Sequence, residues 1–168
     1  MAPLILVLGG ARSGKSRHAE RLIAEYKPPW IYLATAEAFD SEMDQRIALH
    51  RAGRDERWQT IEAPHALADA LRQALADRPL LIDCLTLWLS NRLLADADIS
   101  AEIEAIVGAV VVRNSVTVIV SNEVGLGIVP DNALARRFRD AAGVANQMLA
   151  ARADRVDFIA AGLPVRLK

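Results

Sequence analysis

A single cysteine, Cys84, stands in 168 residues. One thiol excludes an intrachain disulfide and a cysteine-built zinc site. It fits a reducing compartment, so a cytoplasmic location is expected. Neither sign of charge is in excess: 20 Lys and Arg face 21 Asp and Glu, for a net charge of −1. The basic surplus of a nucleic-acid footprint is missing, and no nucleic-acid partner is expected. Long apolar runs are lacking too. Leu80 to Leu89 is too short to span a bilayer and is broken by Asp83, so no membrane span is expected. The N-terminus has no basic region ahead of its apolar run, which argues against a signal peptide. There is no internal repeat, low-complexity segment or linker. Core material is plentiful. Hydrophobic residues make up 52% of the chain, enough to exclude disorder and to build one domain over residues 1–168.

The chain is organised around Gly9-Gly10-Ala11-Arg12-Ser13-Gly14-Lys15-Ser16. This stretch fits G-x-x-x-x-G-K-[ST], the phosphate-binding P-loop. Leu4 to Leu8 reads as a buried strand before it. Ser16 to Tyr26 reads as a helix after it, with Ala19, Leu22, Ile23 and Tyr26 on one side. Strand, glycine loop and helix is the context the motif needs. The loop N–H groups and the helix N-terminus would face anionic oxygens. Lys15 would reach the β- and γ-phosphates, and the Ser16 hydroxyl would ligate Mg²⁺.

The remainder alternates strands with helices. Pro28-Pro29 closes the first helix region, and Trp30 to Thr35 reads as a strand. A polar helix is expected from Ser41, its N-cap, to Gly53, its stop. Trp58 to Glu62 alternates as a short strand does. Ala66 to Ala76 reads as an amphipathic helix with Leu67, Ala70, Leu71 and Leu75 aligned. Pro79 to Asp83 reads as a buried strand, Cys84 to Leu94 and Ile99 to Val112 as helices, and Val116 to Val120 as a central β-branched strand. Asn122 to Pro130 is a glycine-bearing loop. Asp131 is expected to cap a helix reaching about Arg152, with a core stripe of Leu134, Phe138, Ala141, Ala145 and Met148. Arg155 to Ala160 is the last expected strand, followed by a tail. The pattern implies an α/β fold, a mostly parallel sheet with helices on both faces. Ligands of such sheets lie beyond the carboxyl ends of the strands.

Two carboxylates end predicted strands. Asp83 stands where a Walker-B group would help hold Mg²⁺, or where a side chain could simply cap the next helix. Glu62 is either a site residue by its position in the sheet or an ordinary surface acid. Of three histidines, His18 reads as a packed or surface residue, and His65 has no evident role. His50 lies on the expected Ser41–Gly53 helix, with Arg46 and Arg54 four residues to either side and Arg51 beside it. A neutral imidazole there could attack a phosphate held by the arginines. The alternative is a helix histidine in a solvated basic face.

Several stretches together resemble one family. They are GGARSGKSRHAE at Gly9–Glu20, YLATAEAFDSEMDQRIALHRAGR at Tyr32–Arg54, WQTIE at Trp58–Glu62, IDCLTLWLSN at Ile82–Asn91, SNEVGLGIVPDNALARRFRDAAGVANQMLAARAD at Ser121–Asp154, and the terminal GLPVRLK. The family is the bifunctional adenosylcobinamide kinase / adenosylcobinamide-phosphate guanylyltransferase of cobalamin biosynthesis. The resemblance implies that ATP or GTP phosphorylates adenosylcobinamide. A histidine then attacks the α-phosphorus of GTP, and GMP passes to adenosylcobinamide phosphate. By motif that nucleophile is His50, and the neighbouring residue, histidine in some relatives, is Leu49 here. Implied nucleotide contacts are Gly9, Gly10, Ala11, Arg12, Ser13, Gly14, Lys15 and Ser16, then Ala34, Thr35 and Ala36, then Arg51, Ala52, Gly53 and Arg54, with Glu62 and Asp83. Implied metal ligands are Ser16 and Asp83. The resemblance further implies a RecA-like P-loop NTPase core and a homotrimer. Two other readings compete: a monofunctional P-loop kinase of another small metabolite, and a nucleotide-binding module that assembles with a partner protein.

Overall fold

The computed structural model describes residues 2–37 and 53–168. Among these, one seven-stranded sheet runs in the order β3-β2-β4-β5-β1-β6-β7. Its strands are β1 (Leu4–Gly9), β2 (Trp30–Ala34), β3 (Trp58–Glu62), β4 (Leu80–Asp83), β5 (Thr117–Asn122), β6 (Arg155–Ala160) and β7 (Leu163–Arg166). All pairings are parallel except β6 with β7. The helices are α1 (Lys15–Ala24), α2 (Leu67–Gln73), α3 (Leu85–Leu94), α4 (Ile99–Val111) and α5 (Ala133–Arg152).

Strand alternation divides the core. Leu4, Leu6 and Leu8 join Ile31, Leu33, Leu80 and Ile82 on one face, beneath α2, α3, α4 and α5. Ile5 and Val7 join Trp30, Tyr32, Leu81, Val118 and Val120 on the other, where Ala19, Leu22 and Ile23 of α1 pack. Successive side chains of a strand point to opposite faces, so apolar runs such as these suit a sheet covered on both sides. None of the described helices is long and apolar enough to cross a membrane.

The α/β reading holds, with differences at the ends. Helix α1 stops at Ala24 and α2 at Gln73, so Leu75 falls past the helix and is 58% exposed. Asn132, not Asp131, caps α5: its side chain accepts from the Ala135 N–H at 2.7 Å. Of the expected stripe, Ala145 is buried and Phe138, Ala141 and Met148 pack against the core. Ala142, Ala145, Asn146 and Leu149 are its buried residues, and Leu134 is exposed. The supposed tail is the strand β7. A two-residue turn at Ala161 and Gly162, both with positive φ, reverses the chain, as hairpin turns require. Pro164 is tolerated because β7 is an edge. The expected helix from Ser41 to Gly53 lies outside the described residues, except for Gly53 itself.

Candidate nucleotide site

Strand β1 delivers the loop to the carboxyl edge of the sheet, and α1 begins at Lys15 within the motif. Gly14 takes φ +95° at the start of α1, a conformation glycine adopts without a Cβ penalty. The loop is braced from within and from behind. Ser13 N–H donates to Gly10 O at 3.3 Å, and Gly162 N–H donates to Ser13 O at 2.8 Å. The turn between β6 and β7 thus supports the P-loop directly. Lys15 Nζ donates to Gly10 O at 3.0 Å, which lays the ammonium across the loop. Ser13 Oγ is buried without a hydrogen-bond partner. A buried hydroxyl left unpaired is costly unless a ligand completes it.

Behind the loop, His18 of α1 is buried, its Nε2 2.8 Å from Asp157 Oδ2 on β6. Arg155 and Arg166 also donate to Asp157. Burial alone would raise this carboxyl; the bonds from Arg155, His18 and Arg166 outweigh it and bring the pKa down to about 2. His18 is therefore the packed residue of one of its two expected readings.

Beside β1, strand β5 ends at Asn122, level with Gly9. Glu123 N–H donates to Gly9 O at 3.0 Å. Asn122 N–H donates to Thr86 Oγ1 at 2.9 Å, and Asn122 O accepts from Asn146 Nδ2. Its Oδ1 is buried with no partner. Strand β4 ends next at Asp83, and register aligns Asp83 with Ala34 and Ala34 with Glu62. The P-loop, Asn122, Asp83, Ala34 and Glu62 thus line one edge, as the order of strands dictates. Tyr32 hydroxyl donates to Asp83 Oδ2 at 3.1 Å. Burial first, then the Asp83 charge, raises the Tyr32 phenol, which stays protonated and able to donate.

Thr35 is fully buried. Its Oγ1 donates to Cys84 O at 2.6 Å and accepts from Cys84 N–H at 2.9 Å. Its hydroxyl therefore ties the end of β2 to the end of β4. Arg54 lies with its guanidinium 3.8 Å from the centre of the Tyr32 ring. Gly53 and Glu62 are exposed. His65, which had no evident role, pairs with Glu37 at 3.0 Å. His50, Arg51 and Ala52 lie outside the described residues.

No three Asp, Glu, His or Cys side chains converge among the described residues. Mg²⁺ requires no such cluster, because one or two protein oxygens together with phosphates and waters satisfy it. Ser16 on the first turn of α1 and Asp83 at the end of β4 are hard oxygen donors of the right kind, and the unpaired Oδ1 of Asn122 suits a metal-bound water. Sequence reasoning overlooked Tyr32 and Asn122. The strand alternation that turns Tyr32 toward α1 was visible, but its hydroxyl's partner depends on the register between β2 and β4, strands separated by residues 35–79.

The model of the cobinamide kinase / cobinamide phosphate guanyltransferase family matches residues 5–167. The chain belongs to this family. It is 52% identical over 166 residues to a bifunctional adenosylcobalamin biosynthesis protein of Pseudomonas aeruginosa, covering 97% of this chain and 96% of that protein. A bifunctional adenosylcobalamin biosynthesis protein of Salmonella typhimurium is 42% identical over 181 residues, covering 98% and 99%. Among solved structures, the flagellar accessory protein FlaH of Methanocaldococcus jannaschii superposes with a TM-score of 0.56 at 14% identity, covering 99% of this chain and 78% of that one. The RadB recombinase gives 0.52 at 17% identity, covering 94% and 74%. These two likenesses concern the fold, a P-loop NTPase core of RecA type.

Proposed function

We propose that this chain makes both transfers of its family at the carboxyl edge of the sheet. A nucleoside triphosphate, ATP or GTP, would give its γ-phosphoryl group to the aminopropanol hydroxyl of adenosylcobinamide. GTP would then guanylylate His50, and GMP would pass to adenosylcobinamide phosphate to form adenosylcobinamide-GDP. The observation that carries the reading is the P-loop, braced by Gly162 and followed by α1, inside a chain matched to the family over nearly its whole length.

The residues divide by role. The N–H groups of Gly9 to Ser16 cradle phosphates, and Lys15 neutralises charge that develops on them. Ser16 and Asp83 would hold Mg²⁺, which would supply charge neutralisation at the phosphates. Ala34 to Ala36, Gly53, Arg54 and Glu62 would contact the rest of the nucleotide. His50, with Arg51 and Ala52, supplies the second reaction. Imidazole attacks the α-phosphorus as pyrophosphate leaves, so a phosphoramidate forms while a phosphoanhydride breaks. A homotrimer working in the cytoplasm completes the proposal.

Incubation with Mg²⁺ and GTP labelled at the α-phosphate, followed by denaturation, tests it. Acid-labile, base-stable label is expected on the protein and is expected to vanish in His50→Ala. GTP binding without label would leave a monofunctional kinase or a binding module. Label that survives in the variant would move the nucleophile elsewhere. Sedimentation equilibrium at a trimer mass is the expected outcome for the assembly; a monomer mass would overturn it.

A further inference from the structure

Tyr32 touches two groups that the two reactions would use separately. It is buried, 4% exposed, on β2. Its hydroxyl holds Asp83 Oδ2 at 3.1 Å. One face of its ring carries the Arg54 guanidinium at 3.8 Å. Its ring meets Trp58 of β3 at 6.0 Å with an interplanar angle of 81°, which fixes the ring's orientation. Two of the arginine's nitrogens, Nε and Nη1, are buried and have no hydrogen-bond partner among the described residues. Arg54 follows His50 by four residues.

We propose that Tyr32 is a positioning residue for both transfers, its hydroxyl orienting Asp83 toward Mg²⁺ and its ring holding Arg54 against the phosphates of the nucleoside triphosphate. The inference rests on the roles given above to Asp83 and His50. A carboxylate with one oxygen hydrogen-bonded cannot rotate freely, and its other oxygen is presented in one direction. Partners of this kind commonly set metal affinity by about 10- to 100-fold. A guanidinium stacked on a ring keeps its N–H groups, which lie in its own plane, for an anion. The unpaired Nε and Nη1 of Arg54 are such groups.

The hydroxyl and the ring are separable by substitution. Tyr32→Phe removes only the hydroxyl and leaves the packing. Tyr32→Met keeps a flexible apolar side chain but removes the π face. Mg²⁺ is titrated in two assays, γ-phosphoryl transfer to adenosylcobinamide and labelling from α-labelled GTP, with Asp83→Asn and the double variant alongside. Expected for Tyr32→Phe is an increase of about tenfold in half-saturating Mg²⁺ for phosphoryl transfer, with labelling at saturating Mg²⁺ unchanged. Asp83→Asn is expected to raise the midpoint further, and adding Tyr32→Phe to it to change nothing more. Tyr32→Met is expected to slow labelling as Arg54→Gln does, with no additional loss in the pair. A folded Tyr32→Phe enzyme with the wild-type Mg²⁺ midpoint, beside a shifted Asp83→Asn, would overturn the proposal and leave Asp83 in its role. Additive effects of Tyr32→Phe and Asp83→Asn would overturn it too. An unshifted Asp83→Asn would overturn the metal assignment and the proposal with it. Should Tyr32→Met fail to fold, Tyr32→Phe still decides the role of the hydroxyl, and a folded Arg54→Gln enzyme that labels at the wild-type rate would overturn the role of the ring.

Discussion

Two adjacent glycines in the P-loop do different work. A Cβ at Gly9 would stand 2.6 Å from Ser13 Oγ and 2.8 Å from the Ile159 carbonyl oxygen, whereas one at Gly10 would meet nothing within 4 Å. The serine could turn away, but the carbonyl belongs to β6 and is held by the sheet. Gly9→Ala is therefore expected to lose about 1–3 kcal/mol of stability through overpacking, and Gly10→Ala almost none. Thermal melts of the two variants check this; equal melting temperatures would show that the loop relaxes freely. The motif named both glycines, but only the packing distinguishes them. Thr35 teaches the same lesson in reverse. The family resemblance implies a nucleotide contact there, and the structure shows its hydroxyl already engaged by both backbone groups of Cys84.

Helix α1 and the hairpin of β6 and β7 are joined by Asp157. The carboxylate is buried and accepts from His18, Arg155 and Arg166. Its pKa in the fold is about 2, below the ordinary value of about 3.9 in an unfolded chain. The contribution to stability is therefore complete above the unfolded value and is lost as pH falls through about 2. Each unit of such a shift is about 1.4 kcal/mol, so Asp157→Asn is expected to cost at least about 2 kcal/mol at neutral pH and to flatten the acid limb of the stability profile. Denaturant melts from neutral pH down to about pH 2 measure both; parallel profiles for the two proteins would refute the linkage. Arg113 plays a comparable part for α2. It is 3% exposed and donates to the carbonyls of Leu75 at 3.0 Å and Arg78 at 2.7 Å. It thereby satisfies groups beyond the helix's C-terminus that have no helical partner. Arg113→Met is expected to lose about 1.5–3 kcal/mol, read by the same melts. Neither Asp157 nor Arg113 stood out in the sequence, because an acid in a strand and an arginine after a helix read as surface residues until partners surround them.

At the scale of the molecule, strand order sets the site. β5 lies between β1 and β4, so the P-loop and Asp83 are separated by one strand whose end carries Asn122. A ligand that touches this edge engages β1 and β4 together, and its binding energy adds to the stability of the whole sheet. Mg²⁺ with GTP at 100 times its dissociation constant is expected to stabilise the fold by about 2.7 kcal/mol. The shift in melting temperature is expected to disappear in Lys15→Ala. A local change without a shift in the cooperative transition would place the nucleotide elsewhere.

The sequence by itself determined the P-loop, the alternation of strands and helices, and the family. These follow from local patterns: glycine spacing, side-chain period and a long ordered run of matching segments. It placed Asp83 and Glu62 at strand ends, and both ends fall at one edge as expected. Tertiary structure alone decided the rest. The turn at Ala161 and Gly162 that braces Ser13, the His18–Asp157 pair and the contact of Tyr32 with Asp83 and Arg54 all join residues distant in the chain. Such contacts are set by register and volume once the sheet has formed, and no local pattern encodes them.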